Sequence, residues 1–325
     1  MQNSHLAQAY TLLVLLSPSA IVPAPSEKTY RTSLSPSKRL PLPSIHDPAS
    51  VDLTVVIPAY NETERLPSMF SSTLAHLEAM RTAEASRTYE VLVVDDGSSD
   101  GTAELALKLG LEYPESEVRV VALEENVGKG GAVRHGMLHG RGRRLLMVDA
   151  DGASRFEDLE LLWKAMDEIA PKEEAAVVVG SRAHLVKTEA VVKVGYNDLY
   201  TLFHADTRLQ RSLLRNILMY GLHTILRIVG VGHIRDTQCG FKLFTRRGAQ
   251  QIFPYQHLAT WIFDVELLLL AKQLAMPVAE VPIEWHEVSG SKLHVVADSL
   301  QMLRDLLVLR GNHLLGRWKV HPPRK

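Results

Sequence analysis

The sequence predicts an α/β fold, a mostly parallel sheet with helices on both faces. Two observations carry that reading. Five short apolar runs between Leu53 and Arg182 alternate with amphipathic helical patterns, the alternation that crossover connections impose on a parallel sheet. The distinctive polar motifs Pro58–Glu62, Asp95–Ser98 and Asp149–Gly152 each come directly after one of those runs. In open parallel sheets ligands bind there, just beyond the carboxyl ends of the strands.

Taken in order, residues 6–25 are the one candidate for a membrane span or a targeting segment. A spanning helix needs about 20 mostly apolar residues. Here the clean run is Tyr10–Leu16, and Pro18, Pro23 and Pro25 interrupt the stretch beyond it. The segment reads as a half-embedded anchor or as a disordered tail. Residues 26–50 are rich in Ser and Pro and read as an extended linker. At Leu53 the composition changes. LTVVI (53–57) predicts a strand stopped by Pro58, and EVLVVDDGS (90–98), VRVVAL (118–123), RLLMVDADG (144–152) and AAVVVGSR (175–182) predict four more. Helical patterns fall at 66–80, 100–113 and 156–169. These patterns divide the chain into two units, 51–250 and a C-terminal segment 251–325, with every core strand placed after Val51.

Residues 208–231 form a long apolar helical pattern with Arg208, Arg211, Arg215 and Arg227 and no acid. That predicts a basic amphipathic helix on a membrane surface, or a core helix with its arginines outward. Residues 299–320 repeat the theme with Arg304, Arg310, Arg317 and Lys319.

Composition sets limits. The chain has 325 residues and a formal net charge of −1, so no global field favours nucleic acid. Its single cysteine, Cys239, excludes an internal disulfide, and the 14 scattered histidines show no zinc spacing.

Four motifs carry chemistry. In V-V-I-P-A-Y-N-E (55–62), Pro58 fixes a turn, the ring of Tyr60 can stack on a base, and Glu62 can accept from a base or sugar hydroxyl. In V-D-D-G-S (94–98), Asp95 or Asp96 can take the imide N–H of a uracil, while Ser98 or Asp100 caps the next helix. Asp149 and Asp151 are alternate residues beyond a strand, so both can face one spot. Two like charges held that close need a cation between them; alone, the pair also fits a solvated acidic turn. N-V-G-K-G-G-A (126–132) lacks the phosphate-loop spacing of nucleoside triphosphatases, yet its helix start and Lys129 can hold a diphosphate oxygen.

Together these motifs, in this order, resemble the inverting nucleotide-sugar glycosyltransferases of family 2. The likeness continues through G-S-R (180–182), R-D-T-Q-C-G-F-K-L-F (235–244), W-I-F-D-V-E-L (261–267) and G-S-K-L (290–293). It is most similar to the members that use a dolichyl phosphate acceptor, and covers about Leu53 to Leu315. The resemblance implies a Rossmann-like transferase fold of the A type, with 51–250 binding the nucleotide sugar and 251–325 on the acceptor and membrane side. It implies glucose transfer from UDP-glucose to dolichyl phosphate, on the cytosolic face of the endoplasmic reticulum membrane. Asp149 and Asp151 would hold Mg²⁺ or Mn²⁺ against the diphosphate, since oxygen-only ligands suit those ions. Pro58, Tyr60, Glu62, Asp95, Asp96, Lys129 and Asp149 would bind the nucleotide sugar. Arg235 and Asp236 would line the sugar pocket beside Asp149 and Asp151, with Gln238 and Lys242 behind. Arg182, Arg215 and Lys292 would hold the acceptor phosphate, a task suited to cationic side chains. Trp261, Asp264 and Trp285 are acceptor-pocket or core residues. W-H-E-V (285–288) stands where related mannosyl transferases carry an arginine, which weakens a GDP-mannose reading. A third reading is a catalytically silent nucleotide-binding protein at a membrane surface.

Overall fold

The computed structural model describes residues 2–114, 116–185, 234–290, 292 and 295–320. The expectations for 208–231, including Arg215, lie outside the described residues. The chain begins with α1 (Gln2–Leu16) and a hairpin, β1 (Thr29–Thr32) and β2 (Ser35–Pro41). Then come β3 (Val51–Ala59), α2 (Leu66–Ala83), β4 (Tyr89–Asp95), α3 (Thr102–Leu111) and β5 (Val118–Ala122). Next are α4 (Lys129–His139), β6 (Gly142–Val148), α5 (Leu159–Ile169) and β7 (Val177–Ser181). β8 (Phe241–Thr245), α6 (Arg246–Ile252), α7 (Phe263–Gln273), β9 (Val278–Pro282) and α8 (Val295–Leu314) complete it.

Nine strands form one sheet in the order β2–β1–β5–β4–β3–β6–β8–β7–β9. The central ladder β5–β4–β3–β6 is parallel, as the alternation predicts. β4 is buried at all seven positions, which requires cover on both faces. α2 supplies part of it: Leu66, Met69, Phe70, Thr73, Leu74, Leu77 and Met80 form one buried stripe at helical spacing. Pro67 sits at the start of that helix, where no amide partner is needed. The sheet runs outward in opposite senses from β3, through β4 and β5 one way and β6 the other. That change of direction opens a crevice between the carboxyl ends of β3 and β6.

Two expectations are corrected. The Ser/Pro-rich stretch is no linker: β1 pairs antiparallel with β5 and with β2, and Ile45 is in the core. β2 is an edge strand that faces solvent, so its composition carries no apolar pattern. β3 does not stop at Pro58 but runs to Ala59, still in register with β4. The ladder to β6 ends at Val56, so the proline lies where one side of the strand is already open. The sheet is mostly parallel, as expected, with an antiparallel insertion on one side. β8 runs antiparallel between β6 and β7, and β9 is parallel to β7.

Among the described residues no helix is long and apolar enough to cross a membrane. α1 instead packs on α8, where Gly311 leaves room for Leu13 and Asn312 donates to Ser17 Oγ at 2.9 Å.

Candidate active site

The chain direction of each strand brings one set of loops to one edge. The carboxyl ends of β3, β4, β6, β7 and β9 converge there with the amino end of β8. Asp149 leaves β6 and is met by Lys129, the first residue of α4, with Nζ 2.7 Å from Oδ1. Lys129 thus supplies a cation to one member of the acid pair. Burial disfavours the Lys129 charge, but Asp149, Asp264 and Asp151 more than offset that and hold the ammonium above its ordinary value. Asp149 also donates its N–H to the Gly240 carbonyl at 3.2 Å. A side chain at Gly240 would collide with the Asp149 carboxylate, so glycine leaves that carboxylate its seat.

Asp151 is half-buried and accepts from the Ala153 amide at 3.0 Å. Burial and the neighbouring Asp149 raise its pKa, partly countered by Lys129 and Arg65. Arg65 was not singled out by sequence reasoning. Its fork grips Glu62 at 2.7 and 2.5 Å, and its remaining nitrogen lies 4.0 Å from Asp151 Oδ2. Glu62 and Arg65 stand three positions apart, a spacing that in hindsight signals the pair. A cleft of about 760 Å³ opens beside Asp151, lined by Arg65, Ser68, Met69, Arg155 and Trp285 among others. A smaller cavity of about 340 Å³ lies at the opposite sheet edge, against Arg143 and Arg246, and contains none of the motifs.

The two acids of the second motif have different jobs. Asp96 accepts from the amides of Val127 at 2.8 Å and Gly128 at 3.0 Å, so it ties down the glycine turn that launches α4. Burial pushes its pKa up to about 6 against those two bonds. Gly128 has φ +94°, and a side chain there would run into the Ala259 carbonyl, so any other residue would be strained. Asp95 is buried, and its Oδ1 has no hydrogen-bond partner among the described residues. Burial raises its pKa too. Asp100, not Ser98, receives the first amide of α3, from Thr102 at 3.0 Å.

Other expected residues fall into place differently. Tyr60 is exposed at the ligand edge, with Lys292 Nζ 5.6 Å from its ring centre. Pro58 is buried inside β3 and presents no group to the edge. Glu62 is engaged by Arg65 and by Lys292 at 2.9 Å, and Lys292 also donates to the carbonyls of Tyr60 and Asn61. Arg182 forms a fork on Asp236 at 2.7 and 2.8 Å and packs 5.3 Å from the Trp285 ring centre. Burial works against both charges, yet the pair raises the arginine pKa and lowers that of Asp236. The positive charges of Arg182 and Lys292 are thus partnered within the chain. Arg235 is exposed, and Glu280 accepts the backbone amides of Arg235 and Asp236 at 3.1 and 3.0 Å.

A family model for glycosyl transferase family 2 matches residues 54–252, the span that builds this edge. The chain belongs to glycosyl transferase family 2. Its curated relatives include the dolichyl-phosphate beta-glucosyltransferases of Mus musculus, 45% identical over 87% of this chain and 82% of the relative. That of Homo sapiens is 44% identical over the same shares. That of Saccharomyces cerevisiae is 41% identical over 95% and 91%. Among solved structures, glucosyl-3-phosphoglycerate synthase from Mycobacterium tuberculosis in complex with UDP overlays at a TM-score of 0.51 with 17% identity, covering 81% of each chain. The same synthase with Mn²⁺, UDP and glucosyl-3-phosphoglycerate gives 0.51 at 19% identity, again over 81% of each. The likeness shows that this family member has the A-type nucleotide-sugar transferase fold.

The donor set of the acid pair also bears on a metal. Among the described residues no three or more His, Cys, Asp or Glu side chains gather into a metal cage. Mg²⁺ is commonly held by one or two carboxylates with phosphate oxygens and water completing the shell. Asp149 and Asp151 fit such an ion when a diphosphate is present beside them.

Proposed function

We propose that this protein transfers glucose from UDP-glucose to dolichyl phosphate with inversion, at the cytosolic face of the endoplasmic reticulum membrane. The observation that carries the reading is the identity of 41–45% with dolichyl-phosphate beta-glucosyltransferases over most of both chains. The geometry supports it residue by residue. The unpartnered Asp95 oxygen suits the imide N–H of uracil, and the exposed ring of Tyr60 suits stacking on the base. Lys129 stands ready for the diphosphate beside Asp149. Asp149 and Asp151 would hold Mg²⁺ or Mn²⁺, which when bound offsets the charge that grows on departing UDP. Arg182 and Asp236, locked together next to Trp285, shape the sugar pocket. The acceptor phosphate is anionic at pH 7 and attacks the anomeric carbon itself, so no general base is assigned. Arg235, whose exposed side chain has no ion pair among the described residues, and Arg215 are its candidate holders.

The membrane surface is supported by α8. Leu300, Leu303, Leu307 and Leu314 form an exposed stripe at helical spacing, flanked by Arg304 and Arg310. On α1, packed beside it, Leu12 and Leu15 are exposed too.

One assay tests the whole reading: anionic vesicles carrying dolichyl phosphate, offered labelled UDP-glucose or GDP-mannose. Label from UDP-glucose is expected in the lipid, with the protein floating on the vesicles and Leu303→Glu plus Leu307→Glu weakening flotation. Label from GDP-mannose alone would replace glucose by mannose. No transfer from either donor by bound protein would make it a silent nucleotide binder.

A further inference from the structure

We propose that Lys242 and Asp264 are positioning residues that seat the donor-binding groups Asp149 and Lys129. The inference rests on the donor reading above. Lys242 Nζ donates to Asp264 Oδ1 at 2.5 Å and to the Cys239 carbonyl at 2.6 Å. The two side chains are 0% and 3% exposed, so both charges are withdrawn from water. Stability gives no reason for such a pair, because well-packed apolar residues of similar volume do as well or better.

The role of the pair is visible in its contacts. By anchoring the Cys239 carbonyl, Lys242 fixes the turn that carries Gly240. Gly240 then receives the Asp149 amide and, lacking a side chain, leaves the space that the Asp149 carboxylate fills. Asp264 acts from the other element. It lies in the first turn of α7, where a helix favours an acid. Its charge acts on Lys129 as well as on Lys242. Trp261, three residues earlier, places its ring centre 5.9 Å from Lys129 Nζ. One buried pair therefore sets both partners of the Lys129–Asp149 contact, from β8 and from α7 at once.

The test separates seating from stability. The double variant Lys242→Met with Asp264→Leu removes both charges together, and its melting temperature is expected to stay close to that of the native protein. Calorimetric titration with UDP, with and without Mn²⁺, should nevertheless show affinity lowered about tenfold or more, the usual cost of losing a group that orients a ligand. In the transfer assay KM for UDP-glucose should rise while KM for dolichyl phosphate does not. Native UDP affinity in a double variant of native stability would overturn the proposal. Should that variant not fold, Gly240→Ala disturbs the same seat: weakened UDP binding supports the inference, and unchanged binding overturns it. A native protein that binds no UDP would instead overturn the donor reading itself.

Discussion

Four carboxylates at the sheet edge look alike in the sequence and differ in use. Asp96 is consumed by the turn before α4, Asp149 by Lys129 and the Gly240 seat, and Asp151 lies near Arg65. Of these four acids, Asp95 alone has a buried oxygen with neither a hydrogen bond nor an ion pair among the described residues. An unsatisfied buried acceptor costs about 1–3 kcal/mol, which marks it as a place where a ligand donates. A different buried group contributes to acid stability. His135, on α4 with its ring 4.9 Å from that of His139, is held neutral by burial and has its pKa lowered to about 4. Unfolding restores a value near ~6.5, so the stability it contributes is present above that pH and is lost as pH falls toward ~4. The span corresponds to about 3 kcal/mol. Asp96, raised to about 6, acts in the opposite sense, losing stability as pH rises through that value. The comparison is therefore made against His135→Leu. Between pH 7 and pH 4 the native protein is expected to lose about 3 kcal/mol relative to the variant in urea unfolding. Parallel losses in the two proteins would refute the assignment.

At the level of elements, the hairpin β1–β2 changes what truncation should do. A reading that starts the fold at Val51 expects a chain lacking residues 1–50 to fold. The structure expects the reverse. Deleting residues 1–50 strips β1 from β5 and removes Tyr30 and Ile45 from the core, each contributing about 2–3 kcal/mol by burial. It also leaves β5 as a bare apolar edge, prone to aggregation. Deleting only residues 1–25 removes α1 and spares the hairpin. Circular dichroism should show a cooperative melt for the shorter deletion and none for the longer. A cooperative melt for both would mean that the hairpin is an appendage.

Over the whole molecule, legibility tracked local pattern. β3 through β7 were readable because each is a short apolar run bounded by polar turns. β1 and β2 were not, because an exposed edge strand carries no such run. β8 and β9 were missed for another reason. β8 contains Lys242, whose buried charge is balanced by Asp264 on a separate helix, a pairing that no periodicity reveals. The acid pairs and Lys129 were legible as motifs, whereas Glu62–Lys292 and Arg182–Asp236 join residues far apart in sequence and exist only once the sheet is assembled. The central claim is that this edge is one donor site built around Asp149, Asp151 and Lys129. Titrating UDP into the full chain with Mn²⁺ present tests it most directly, comparing native protein, Asp151→Asn and Arg143→Ala at the opposite edge. Saturable binding is expected in the native protein and in Arg143→Ala, weakened about tenfold or more in Asp151→Asn and on chelation of the metal. Equal UDP affinity in all three proteins, unmoved by chelation, would contradict it.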